Sequence, residues 1–324
     1  MRSSFAARLF ILGLLFAAAA CNDTAGPTGD TSVGSSSLQT GSAVASAAGG
    51  VVYQLGDFAL YVPAAADGPR AVLVALGGPN TRAIATGEPF GAPFPPVEAA
   101  LQVMGASLRA LADQQRIAIL GTALAAMPDG VGSDQQIVNA IAAGAAASGH
   151  PGLSTAPLLL FGLSGGGPEA SGLAARHPDR VAGLLLKAPL EVAVLSTEAQ
   201  RGVPTFMALA EFDVFVDNAA LGRAFAANRA GGALWAMATE PGVPHFSFSP
   251  TLRTATLAWL GSVIDRRVAG SSSRLRTAVE QSGWLGDQLT GKASPWGAFS
   301  GDRSAASWFP TRGAAEQWQV LMGL

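Results

Sequence analysis

From Val51 onward the chain alternates short, nearly unbroken apolar runs with amphipathic or alanine-rich stretches. The runs are Ala71–Leu76 (AVLVAL), Arg116–Gly121 (RIAILG), Leu158–Leu163 (LLLFGL), Val181–Leu186 (VAGLLL), Thr205–Ala210 (TFMALA) and Leu234–Thr239 (LWAMAT). A strand with one face in water alternates apolar and polar residues. A continuous apolar run belongs to a strand covered on both faces. Helical patterns fall between the runs, over Val97–Asp113, from near Ser133-Asp134, up to about Arg176, over Asn218–Asn228 and over Leu252–Val268. Ser133-Asp134 reads as an N-cap pair. Ahead of them, Val51–Leu55 and Phe58–Val62 read as an antiparallel pair joined at Gly56-Asp57. The expected fold class is α/β, a mostly parallel central sheet of about eight strands covered by helices on both faces.

The length of 324 residues, 49% of them hydrophobic, is enough to bury a full core. With 13% charged residues and a formal net charge of -2, no dense basic patch is available for a nucleic acid. The first fifty residues read differently from the rest. Arg2 and Arg8 precede an apolar run from Leu9 to Ala20. That run matches a secretory signal core and falls short of the roughly 20 residues that a membrane span needs. It ends in Ala18-Ala19-Ala20-Cys21, and Cys21 is the only cysteine, so no intramolecular disulfide can form. This stretch resembles the lipobox of bacterial lipoproteins, with Ala18 where a leucine is usual. The resemblance implies an exported protein anchored to a membrane of the cell envelope through lipid on Cys21. An ordinary signal peptide cleaved near the alanines is the alternative. Residues 22–50 are rich in Gly, Ser, Thr and Ala and read as a flexible tether.

The expected organisation is thus a signal segment over 1–21, a tether over 22–50, an α/β domain over 51–268 and a tryptophan-rich extension over 269–324. The extension holds Trp284, Trp296, Trp308 and Trp318 and is expected to pack on the domain. The match around its evenly spaced tryptophans is too thin for a ligand-stacking repeat.

Ser164 lies in Gly162-Leu163-Ser164-Gly165-Gly166, directly after an apolar run and before a helical pattern. A G-x-S-x-G turn between a buried strand and a helix holds a serine hydroxyl clear of the backbone. Gly162 and Gly166 keep so tight a turn free of collisions. A serine needs a base to take its proton, and the base needs an acid to orient it. In a sheet of this kind both should follow strands, at their carboxyl ends. Glu211-Phe212-Asp213 follows Thr205–Ala210, and Asp213 is the candidate acid with Glu211 as its substitute. Asp217 suits the N-cap of the next helix. Among three histidines, His245 alone occupies a long loop after the last strand, whereas His177 falls at a helix end and His150 on the opposite side of the sheet. His245 is the candidate base.

The order Ser164, Asp213, His245 resembles that of the α/β-hydrolase superfamily over roughly residues 51 to 268. Val203-Pro204-Thr205 and Arg176-His177-Pro178-Asp179-Arg180-Val181 add to the likeness. The resemblance implies an oxyanion hole built from the backbone N–H groups of Gly165 and Gly78, the latter in Gly77-Gly78-Pro79-Asn80. Leu76 and Leu163 stand where the family often has histidines. The implied activity is that of an exported serine hydrolase acting on small-molecule or polymeric carboxylic esters, with no cofactor and no metal. Acyl transfer or peptide cleavage by the same serine stays open, as does a surface lipoprotein that keeps the fold as a catalytically inactive binding module. Dinucleotide binding at Gly165-Gly166-Gly167 is disfavoured by Pro168 and by its mid-chain position. The short segment between Pro189 and Val203 leaves little room for a lid there.

Overall fold

The computed structural model describes residues 43–45, 49–64, 67–78, 80–92, 94–124, 130–269 and 274–323. Cys21 and the expected signal segment lie outside the described residues, as does most of the expected tether. Among the described residues the main sheet has nine strands: β1 (Ala43–Ala45), β2 (Val51–Leu55), β3 (Phe58–Val62), β4 (Ala71–Gly77), β5 (Ile117–Thr122), β6 (Leu158–Leu163), β7 (Val181–Lys187), β8 (Thr205–Ala210) and β9 (Trp235–Glu240). Their spatial order is β1-β2-β3-β5-β4-β6-β7-β8-β9. Pairing is antiparallel from β1 to the β3–β5 contact and parallel from there on. The sheet is therefore mostly parallel, as expected, with one strand more than the sequence suggested. The extra strand, β1, falls inside the segment read as tether. It adds three residues to β2, whose backbone groups on that side have no other strand to pair with.

Helices α1 (Arg82–Thr86), α2 (Pro95–Gln115), α3 (Val131–Ser148), α4 (Gly166–Arg176), α5 (Glu198–Arg201), α6 (Asn218–Ala230) and α7 (Pro250–Arg267) connect the strands. The continuous apolar runs feed two cores. Leu73, Leu159 and Phe161 point into one, with Leu108 of α2 and Trp259 of α7. Val74, Leu160 and Leu186 point into the other, with Ile141 of α3, Leu173 of α4 and Phe225 of α6. Burying each such side chain contributes about 1.5–3 kcal/mol.

One local expectation is corrected. Helix α3 starts at Val131 with Gly130 at its N-cap, so neither Ser133 nor Asp134 caps it. Asp134 is instead buried against the end of α4, where Arg176 Nε donates to it at 2.7 Å and His177 Nε2 lies 3.0 Å away. Burial pushes the Asp134 carboxyl up, but its bonds to Arg176 and His177 outweigh that and hold it below the usual range.

The C-terminal segment forms a second sheet from β10 (Trp284–Gly286), β11 (Ala293–Pro295) and β12 (Ser307–Phe309), then α8 (Arg312–Leu321). It packs along the free edge of β9. Ser307 Oγ accepts the Met237 N–H at 2.9 Å, and the Met237 carbonyl accepts from Trp318 Nε1 and Gln288 Nε2, each at 2.8 Å. Trp308 and Trp318 are fully buried. Among the described residues no helix is long and apolar enough to cross a membrane.

Candidate active site

Strand β6 ends at Leu163, and Ser164 turns the chain into α4 with φ of 52°, a left-handed conformation rare outside glycine. Its N–H donates to the Lys187 carbonyl at 2.9 Å, and its carbonyl accepts the Gly167 N–H at 3.0 Å. The turn passes so close to β4 that a Cβ on Gly166 would stand 2.3 Å from the Leu76 carbonyl carbon. A Cβ on Gly162 would meet that of Ala170 at 2.8 Å. Glycine at both positions is a steric requirement, whereas a Cβ on Gly165 would find its nearest neighbour at 4.0 Å.

The loops after β8 and β9 meet this turn. His245 Nε2 lies 2.9 Å from Ser164 Oγ, and His245 Nδ1 lies 2.6 Å from Asp213 Oδ2. The other Asp213 oxygen accepts the Phe215 N–H at 2.9 Å and the Val216 N–H at 3.2 Å, which fixes the carboxylate. A carboxylate beside Nδ1 selects the tautomer with the proton there and leaves Nε2 free to accept from the serine hydroxyl. The Asp213 side chain is fully shielded and that of His245 is 3% exposed, so little water competes for these bonds. Phe215 and Phe246 flank the imidazole, with centroids 5.1 and 4.6 Å away.

Glu211, the substitute acid, points elsewhere and accepts the Gly242 N–H at 2.6 Å. Asp217 caps α6 by accepting the Ala220 N–H at 2.9 Å. His177 is held by Asp134, and His150 packs against Gly68. Neither approaches the serine. Gly78 follows β4 with φ of 68°, and a Cβ there would stand 2.7 Å from Leu163 Cδ2, which puts this loop against the end of β6. The N–H groups of Gly78 and Gly165 take no part in the turn and loop hydrogen bonds of the described residues.

Two supporting residues escaped sequence reasoning. Thr81, fully buried, donates to the Ala75 carbonyl at 2.8 Å and accepts the Thr122 N–H at 3.2 Å, tying the Gly78 loop to β4 and β5. Lys187, 2% exposed at the end of β7, donates from Nζ to the His245 carbonyl at 3.3 Å. Burial lowers its ammonium to about 8, against the opposing pull of Glu240 and Asp213. The signal available for Lys187 was a lone cation closing an apolar strand. Thr81 offered none. No group of three or more His, Cys, Asp or Glu side chains among the described residues could hold a metal ion.

No family model matches the sequence, and no curated protein matches it. Solved structures similar to the chain include a carboxylesterase from Bacillus cereus, at 13% identity and a TM-score of 0.43, covering 64% of this chain and 93% of that one. An esterase from Pyrococcus furiosus is similar at 9% identity and a TM-score of 0.42, covering 71% and 91% respectively.

Proposed function

We propose that the chain is a serine hydrolase of the α/β-hydrolase type that cleaves carboxylic esters through an acyl-enzyme. One observation carries this reading: the continuous relay from Ser164 through His245 to Asp213, mounted on a left-handed turn at the carboxyl end of a parallel strand. Ser164 Oγ attacks the ester carbonyl carbon while its proton passes to His245 Nε2. Asp213 stabilises the imidazolium that results. The N–H groups of Gly78 and Gly165 receive the developing oxyanion, each worth about 2.7–4 kcal/mol in the transition state. Collapse breaks the bond to the alcohol oxygen, which takes the proton from His245 and departs. Water then attacks the acyl-serine with His245 as base, releasing the carboxylic acid and restoring the hydroxyl.

The test is labelling by a fluorophosphonate probe together with p-nitrophenyl acetate turnover. We expect wild-type protein to be labelled and Ser164→Ala to lose about 10⁶-fold in kcat. Equal labelling of both, or labelling of neither, would leave the fold as a binding module only. Export and lipidation at Cys21 belong to the same reading and rest on the sequence from Arg2 to Cys21. Cys21→Ser is expected to move the protein out of the membrane fraction, and unchanged fractionation refutes the anchor.

A further inference from the structure

Beside His245 lies a groove of about 480 Å³ between the start of α2 and the loops after β8 and β9. Phe94, Phe212, Phe215, Phe246 and Phe248 line it together with His245, which is the only titratable side chain among its described lining residues. Ser164 does not line it. Phe94, Phe212, Phe215 and Phe246 are 38% to 61% exposed, and they are the only markedly exposed phenylalanines among the described residues. The others are buried in the cores, as is usual for so large an apolar side chain. Four exposed rings gathered at one place, beside an imidazole bonded to a serine, form a contiguous apolar surface of the kind that marks a binding site.

Its position decides what it receives. In the reaction above, the acyl group stays on Ser164, while the alcohol leaves with a proton from His245. The groove adjoins His245, the group that hands its proton to the departing alcohol, so the part of the substrate nearest to it is the alcohol. We propose that this groove binds the alcohol moiety of the ester and that the preferred substrates carry a bulky apolar alcohol, aromatic or long-chain, with Phe94 and Phe215 setting that selectivity. The proposal rests on the reading of His245 as the acid that protonates the leaving group. Apolar walls without a charged partner reward burial of apolar area and give nothing to a small or charged alcohol.

The experiment uses the full chain and acetate esters of methanol, butanol, benzyl alcohol and 2-naphthylmethanol, so the acyl group is constant. A second series holds methanol constant and lengthens the acyl chain. Ser164 labelling by the fluorophosphonate runs in parallel. We expect kcat/KM to rise about 10–100-fold from methyl to naphthylmethyl acetate. The ratio of the two should fall several-fold in Phe215→Ala and in Phe94→Ala. Phe94 is half exposed ahead of α2, so its truncation leaves the fold intact. A labelled Ser164 with a flat alcohol series, or with selectivity that follows the acyl chain, overturns the proposal while the hydrolase reading stands. If Ser164 is not labelled, binding of 2-naphthylmethanol, followed by its fluorescence, separates the two ideas. Binding weakened by Phe215→Ala keeps the groove and removes the hydrolase, and no binding removes both. Saturable partition onto phosphatidylcholine vesicles, lost in Phe215→Ala and accompanied by a flat alcohol series, makes the rings a membrane contact and also overturns it.

Discussion

Ser164 adopts a left-handed backbone, which disfavours any residue with a Cβ by about 1–2 kcal/mol relative to glycine. Ser164→Gly should therefore unfold at higher urea than Ser164→Ala by about 1 kcal/mol, although both lack the hydroxyl. Equal midpoints would show the turn to be unstrained. Lys187 carries a second residue-scale prediction. Its ammonium is lowered by burial to about 8, while an unfolded lysine keeps its proton to about 10.4. Between those values the unfolded chain binds more protons, so Lys187 makes stability rise with pH, by about 1.4 kcal/mol per unit inside the window. Below about pH 8 both states are protonated and the destabilising cost of the buried charge is fully present. Urea unfolding at pH 7.5 and 9.5 should show this rise in wild type, and Lys187→Met should lack it. At this scale the sequence was partly legible. Ser164, Asp213 and His245 could be chosen because each had to follow a strand. Lys187 and Thr81 act through carbonyls and amides supplied by distant segments, and no local pattern records such partners.

At the scale of elements, the strands were read well because their apolar runs have hard edges, and Val51–Leu55, Phe58–Val62, Leu158–Leu163 and Thr205–Ala210 match the observed strands end to end. The start of α3 was misread because Asp134, a good capping residue by type, is engaged by Arg176 and His177 from another helix. Strands β10, β11 and β12 went unseen, since three residues show no periodicity. The turn between β6 and α4 gives the clearest element-scale prediction. Gly165→Ala has an open site and an ordinary helical backbone, with φ of -59°, so its effect on unfolding should stay within about 1 kcal/mol. Gly166→Ala must push β4 away from the turn and should lose about 3 kcal/mol or more. Similar urea midpoints for the two would mean that β4 and the turn are not in contact.

For the whole molecule, the C-terminal segment borders strand β9. None of its described residues lines the groove beside His245. It is fastened to the domain by Trp318 and by Arg229. Arg229 Nε donates to the Ala306 carbonyl at 2.5 Å, and its Nη2 lies 2.9 Å from Glu280. Trp318→Ala removes a fully buried indole together with its bond to Met237. The expected loss is about 3–5 kcal/mol. Light scattering of that variant should also show association that grows with concentration, because an uncovered strand edge pairs readily with another chain. A stable, monodisperse variant would show that the tail is dispensable.

The tail's grip on Met237 limits how copies of this protein can meet. A neighbour seeking to prolong the sheet past β9 would find both backbone groups of that residue already claimed from within the same polypeptide. Among the described residues the opposite rim of that sheet is β1, a strand of only three residues.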